Sequence, residues 1–251
     1  MNRIHLSDED WVRILANLKK LTGIGVGQPD TCRQFISACL WILRSGSQWR
    51  VLPPTQGKWN SIFKRFSRWC ANGAWEKLFS HFSEASDCQD VAMDGSVVRA
   101  HACAAGAANS AADKEALGRS KGGFSCKIHA LCDELGMPIK YILTGGRKAE
   151  CRQAIPLLEN VKPSAVLADK AYDTDELRTW LKDRGIKAVI PPKSNRKEKI
   201  ECDYWHYKER HAVECLFGKL KHYRRIATRY EKKAINYIRM LSFASVLLWL
   251  R

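Results

Sequence analysis

Apolar positions recur at intervals of three and four through the first 85 residues, a helical period. Ser7-Asp8-Glu9-Asp10 has the spacing of a capped helix start, and Trp11, Ile14, Leu15 and Leu18 follow it. Gly23 to Pro29 predicts a turn. Asp30 then opens a second helix with Phe35, Ile36, Leu40, Trp41 and Leu43, broken at Gly46 to Pro54. In a third helix, Lys58 to Cys70, the residues Trp59, Ile62, Phe63, Phe66 and Trp69 form a stripe. Lys64, Arg65 and Arg68 lie on or beside its opposite side. Asn72-Gly73 ends that helix, and a fourth runs from Trp75 to Phe82.

From residue 88 the pattern changes to short alternating or wholly apolar runs. Val91 to Asp94 predicts a strand that continues after Gly95 into Val97-Val98. Ala102 to Ala112 predicts a mobile loop, and Gly118-Arg119-Ser120-Lys121-Gly122-Gly123 a basic glycine-rich loop. Phe124 to Cys132 and Ile139 to Leu143 read as strands joined by a hairpin turn. A helix over Glu150 to Glu159, a strand over Ala165 to Ala168, a helix over Asp173 to Asp183 and a strand over Lys187 to Ile190 follow. Tyr204 to about Arg224 and Ala234 to Leu250 predict two more helices. Three antiparallel strands, then alternating helix and strand, is the ribonuclease-H-like order, which puts the first strand beside the fourth. The expected fold is mixed α/β. A ribonuclease-H-like domain with a mixed central sheet spans 88–251, and an all-helical head spans 1–87.

Charge adds a partner to this picture. The 251 residues carry 42 Lys and Arg against 26 Asp and Glu, a net charge of +16, so a polyanion is expected. Nucleic acid comes first and an anionic membrane surface second. The basic edge of the third helix fits a helix-turn-helix-like DNA-binding head, and a plain helical cap fits equally. The ten cysteines are scattered with no CxxC pair, which predicts reduced thiols in the core rather than a secreted disulfide framework. Cys202 and His206 offer two metal ligands, but no second pair completes a zinc site. The charged first 20 residues argue against a signal peptide, and Asn236, Arg239 and Ser242 interrupt Ile235 to Leu250 as a membrane span.

The strand order gives two carboxylates a purpose. Asp94 and Asp169 stand at the ends of strands predicted to be adjacent, and such strands lie about 4.8 Å apart, so both can share a metal ion. A cap or turn role is the alternative for each. At about 100° per residue, Tyr207, Arg210, Glu214 and Lys221 share one helix face within about 60°, beside an apolar face of Val213, Leu216 and Leu220. Glu214 can supply a third carboxylate, and an exposed Arg210–Glu214 ion pair is the other reading. Asp173-x-x-Glu176 has a capping spacing and is read as structural. His101, His129 and His211 are likewise assigned structural or solvent-facing roles.

These segments resemble the DDE transposases of bacterial insertion-sequence family five. The resemblance rests on Asp94-Gly95-Ser96-Val97-Val98-Arg99-Ala100-His101, on Gly118 to Gly123 with Lys127-Ile128-His129, and on Ala168-Asp169-Lys170-Ala171-Tyr172-Asp173. Tyr207-x2-Arg210-x3-Glu214-x6-Lys221 matches the family's tyrosine-arginine-glutamate-lysine spacing. Leu143 to Gly146 and Ile190 to Pro192 are also similar, so nearly the whole chain is covered. Two positions depart from the pattern. Ala171 stands where glycine is frequent, and Arg147 to Cys151 lacks an expected aspartate or histidine.

The resemblance implies DNA cleavage and strand transfer at terminal inverted repeats. It implies Asp94, Asp169 and Glu214 as catalytic residues holding two magnesium ions, with manganese able to substitute. It implies DNA contacts from Tyr207, Arg210 and Lys221, with Arg119, Lys121 and Lys127 lining the approach, and an assembly of at least two copies on double-stranded DNA in the bacterial cytoplasm at the nucleoid. A domesticated DNA-binding remnant and a structure-specific endonuclease of the same fold are the alternatives.

Overall fold

The computed structural model describes residues 6–86, 88–107, 110–111, 114–120, 122–198 and 200–251, without the side chain of Ser120. Four helices come first: α1 (Asp8–Lys20), α2 (Pro29–Ser45), α3 (Trp59–Ala71) and α4 (Ala74–Ser83). Strands β1 (Asp90–Ala100), β2 (Gly118–Ser120), β3 (Gly123–Asp133) and β4 (Pro138–Gly145) follow. Next are α5 (Ala154–Leu158), β5 (Ala165–Leu167), α6 (Asp175–Lys182) and β6 (Lys187–Val189). The chain ends with α7 (Tyr204–Tyr207), α8 (His211–Lys221), α9 (Arg224–Ala227), β7 (Thr228–Arg229) and α10 (Ala234–Trp249). Two compact units result. One holds Met1–Glu84, Arg99–Ala111 and Leu220–Arg251, and the other holds Ala85–Val98 and Ala112–Lys219.

In the first unit the aromatic stripe of α3 becomes core. Trp75 is fully buried, with ring centroids 5.1 Å from Trp69, 5.9 Å from Phe35 and 4.7 Å from Phe243. Phe243 belongs to α10, which packs on α4. Apolar on almost every side, α10 has to be covered, and its serines return their hydroxyls to carbonyls one turn back. The Ser7 hydroxyl accepts from the Asp10 N–H at 3.1 Å, so α1 starts where its spacing predicts. Ala102–Ala104 form a 3₁₀ turn, while residues 108, 109 and 112 of the predicted mobile loop lie outside the described residues.

The second unit is built on a sheet ordered β2-β3-β1-β5-β6, with β4 also paired to β3. β3 and β4 are antiparallel, whereas β1, β5 and β6 run parallel. The first of the three long strands therefore lies beside β5, which is the ribonuclease-H-like order. β5 reads Ala-Val-Leu without a polar position because a central parallel strand is covered on both faces. Its Val166 joins Val91, Met93, Leu157, Leu177 and Leu181 in one buried cluster.

Three local expectations change. The predicted loop over Gly118 to Gly123 is strand β2 hairpinned onto β3, and Lys121 lies outside the described residues. Glycine is needed here for close packing: a Cβ on Gly118 would sit 2.9 Å from the Gly146 nitrogen. The single helix predicted from Tyr204 to Arg224 is α7, a 3₁₀ turn over Lys208–Arg210, and α8. Asp203 caps α7 by accepting from the His206 N–H at 3.0 Å, and the His206 ring reaches Asp90 at 2.7 Å, so this first turn is tied to β1. The helix predicted from Glu150 begins as a 3₁₀ turn over Cys151–Gln153 and becomes α5. All ten cysteines are free. Among the described residues no helix is long and apolar enough to cross a membrane.

Candidate functional site

The β1–β5 ladder ends where Ala92 pairs with Leu167, and Asp94 and Asp169 each stand two residues beyond that pair. Both carboxylates are tethered by their own backbone. Asp94 accepts from the Gly95 N–H at 2.7 Å, and Asp169 caps a 3₁₀ turn by accepting from the Ala171 N–H at 2.8 Å. Burial pushes the Asp94 carboxyl above the usual carboxylate range, and the Gly95 N–H and the Arg210 guanidinium only partly pull it back.

Glu150 joins these two. One oxygen from each of Asp94, Glu150 and Asp169 lies within 4.8 Å of the others. The missing side chain of Gly95 makes the room, since a Cβ there would lie 2.8 Å from the Glu150 Cγ and Cδ. Lys127 Nζ donates to Glu150 Oε1 at 2.9 Å and to the Lys148 carbonyl at 3.2 Å. Three half-buried carboxylates converging in this way form a hard oxygen donor set, which fits a divalent cation such as magnesium or manganese. Glu150 is the acid that sequence reasoning missed. It stands inside the run searched for aspartate or histidine, and the available signal was a carboxylate just beyond β4 together with a glycine directly after Asp94.

Glu214 sits on α8 with its carboxylate on Arg210 and on His211 Nδ1, the latter at 3.3 Å. Burial alone would raise its carboxyl, but the His211 and Arg210 contacts outweigh it and hold the group below its usual value. Arg210 also donates to Asp94 Oδ2 at 3.3 Å and lies 5.7 Å from the Tyr207 ring centroid. The predicted face therefore does bring Tyr207, Arg210 and Glu214 together, and Arg210 links Glu214 to Asp94. α8 is seated through Gly136, where a Cβ would lie 2.9 Å from the Ala212 carbonyl oxygen. Lys221 is exposed at the end of α8.

The other predicted residues divide by partner. Arg119 is exposed on β2, 5.8 Å from the Phe124 ring centroid. Lys64 and Arg68 are exposed on α3, whereas Arg65 donates to the Val26 carbonyl at 2.9 Å and lies 4.5 Å from the Phe35 ring centroid. Lys127 is spent on Glu150. His129 is fully buried and bonded to the Thr144 hydroxyl at 2.8 Å, and burial lowers its pKa to about 4. Tyr172, three residues after Asp169, is fully buried, and its hydroxyl has no hydrogen-bond partner among the described residues.

A family model described as "Transposase DDE domain" matches residues 87–249, and one described as "Putative transposase of IS4/5 family" matches residues 6–79. The chain is 41% identical over 128 residues to the "Putative transposase for insertion sequence element IS6501" of Brucella ovis, covering 50% of this chain and 98% of that one. It is 32% identical over 120 residues to the corresponding protein of element IS402 from Burkholderia cepacia, covering 43% and 54%. Among solved structures it is similar to the piggyBac transposase synaptic complex with hairpin DNA. That match has a TM-score of 0.42 and 12% identity, over 78% of this chain and 51% of that one.

Proposed function

Because the chain belongs to the transposase DDE-domain family, we propose that it binds the terminal inverted repeats of its own insertion sequence and cuts and joins DNA through Asp94, Asp169 and Glu214. As a transposase it is a DNA-cleaving and strand-transferring enzyme. Both steps are in-line displacements at phosphorus, and both build negative charge on the attacking and leaving oxygens. Two magnesium ions, or manganese in their place, would when bound supply the positive charge that offsets it. Asp94 and Asp169 would hold them from adjacent strands, and Glu214 would complete the set from α8.

Arg210 bridges Asp94 and Glu214 in the free protein and turns to a DNA phosphate in the complex. Tyr207 and Lys221 steady the backbone beside it, Arg119 and Lys121 line the approach, and Lys64 and Arg68 serve the head. Two transposon ends have to meet, so at least two copies assemble on double-stranded DNA, at the nucleoid in the bacterial cytoplasm.

The support for this reading is the convergence of Asp94, inside β1, with Asp169, two residues beyond the end of the neighbouring parallel strand β5. The test is a nicking and strand-transfer assay on DNA carrying the element's own ends, with and without magnesium. Asp94→Asn, Asp169→Asn and Glu214→Gln are each expected to lose at least about a thousandfold in rate, the equivalent of several kcal/mol of lost charge stabilisation, while gel-shift binding persists. Full strand transfer by the Glu214→Gln protein sinks the assignment of that residue.

A further inference from the structure

We propose that Glu150 is a direct ligand of the divalent cation, a fourth carboxylate of the site, and that Lys127 is the positioning residue that aims it. The proposal rests on the reading of Asp94 and Asp169 given above, and four observations lead to it.

The first is distance. Among the described residues, the carboxylate oxygens that come within 4.8 Å of one another belong to Asp94, Asp169 and Glu150, and Glu214 is not in that group. The second is space. Glu150 occupies the volume that a side chain at position 95 would fill, with contacts of 2.8 Å to a Cβ, so a glycine beside Asp94 is what admits it. The third is orientation. Lys127 lies opposite Thr144 in the β3–β4 ladder and is largely buried, and its ammonium spans the Lys148 carbonyl and Glu150 Oε1. That brace fixes the turn carrying Glu150 and directs one of its oxygens.

The fourth observation is a buried hydroxyl three residues after Asp169. The fully buried Tyr172 hydroxyl has no hydrogen-bond partner among the described residues, and burial first, then the charges of Glu150, Asp94 and Asp169, push the phenol's pKa up. Buried hydroxyls are nearly always paired, and ordered water is a common partner. The water shell of a cation held by these carboxylates supplies one. A plain structural ion pair between Lys127 and Glu150 explains neither the gathering of three like charges nor the orphan hydroxyl.

Binding of manganese alone to the full chain, without DNA, tests this. Free Mn2+ is followed by electron paramagnetic resonance, and the metal-free melting temperature reports folding. Glu150→Gln is expected to weaken Mn2+ binding at least about tenfold, as Asp94→Asn does, with the fold intact. Lys127→Met is expected to weaken it by about tenfold, as loss of an orienting group does, and Lys127→Arg to restore most of it.

Should the Glu150→Gln protein fail to fold, Gly95→Ala displaces the same carboxylate without changing charge and is expected to weaken binding in the same direction. Wild-type Mn2+ affinity in Glu150→Gln beside a weakened Asp94→Asn overturns the role of Glu150 and leaves the site reading intact. Wild-type affinity in both overturns the site itself.

Discussion

Asp169 and Asp173 stand four residues apart in one short segment, yet their surroundings are opposite. Asp173 is fully buried and surrounded by donors. Its oxygens accept from Arg178 Nε and Arg196 Nε, each at 2.6 Å, and from the Lys193 N–H at 2.7 Å. Asp169 is half-exposed, accepts from the Ala171 N–H, and faces the carboxylates of Asp94 and Glu150. A carboxylate matched by guanidinium groups is complete and holds the fold. A carboxylate set among others of its kind fits the divalent cation proposed above. Titration follows the same division. Burial alone would raise the Asp173 carboxyl, but Arg196, Lys193 and Arg178 hold it well below the usual range, whereas Asp94 is pushed up.

The sharpest break of this contrast is Asp173→Ala. It removes the buried carboxylate shared by the half-buried Arg178 and Arg196, which keep only the Ile190 carbonyl and Asp175, and is expected to cost about 3 kcal/mol in denaturant unfolding, the low end for loss of one member of a buried pair. A loss below about 1 kcal/mol removes the contrast. Acid should reveal the same contribution in the wild-type chain. A carboxyl held low in the folded state stabilises fully above its unfolded value of about 3.9 and loses that contribution as pH falls further. The unfolding midpoint should therefore fall more steeply below about pH 4 in the wild type than in Asp173→Asn, and parallel curves contradict the assignment.

A smaller effect is expected at the neighbouring cap. The Thr174 hydroxyl accepts from the Leu177 N–H at 3.3 Å, so Thr174→Ala should cost about 1 kcal/mol, read by thermal melting. The smallest has the reverse sign. The raised Asp94 carboxyl means that its ionised form costs stability at neutral pH, a cost relieved as pH falls. Asp94→Asn, free of metal, should therefore gain about 0.5 kcal/mol, a stability–activity trade typical of reactive sites. A clear loss of stability in that variant places Asp94 with Asp173 instead.

Much of this was legible in the residues. Alternation and wholly apolar runs gave the strand order, and that order put Asp94 beside Asp169. The periodicity from Tyr204 to Lys221 grouped Tyr207, Arg210 and Glu214 even though Lys208–Arg210 winds as 3₁₀, because Arg210 and Glu214 remain one turn apart. What stayed hidden depends on long-range partners. Nothing near Glu150 in the chain reveals that Gly95 leaves space for it. Basic residues are also ambiguous in a sequence: Arg196, Arg225 and Arg229 contribute to the net charge of +16, yet Arg196 serves Asp173 and Asp175, while Arg225 and Arg229 are buried. Arg225 is paired with Glu231 at 2.6 Å. Lys219, Lys221, Arg224, Lys232 and Lys233 are exposed, so they can meet a phosphate backbone.

The central claim is that Asp169 serves the reaction and Asp173 the fold. It is tested most directly by measuring magnesium-dependent nicking and thermal unfolding side by side on Asp169→Asn and Asp173→Asn. The expected result is crossed: Asp169→Asn melts no lower than wild type and does not nick, while Asp173→Asn melts lower and nicks at temperatures where it is folded. A folded Asp169→Asn protein that nicks at the wild-type rate contradicts the account.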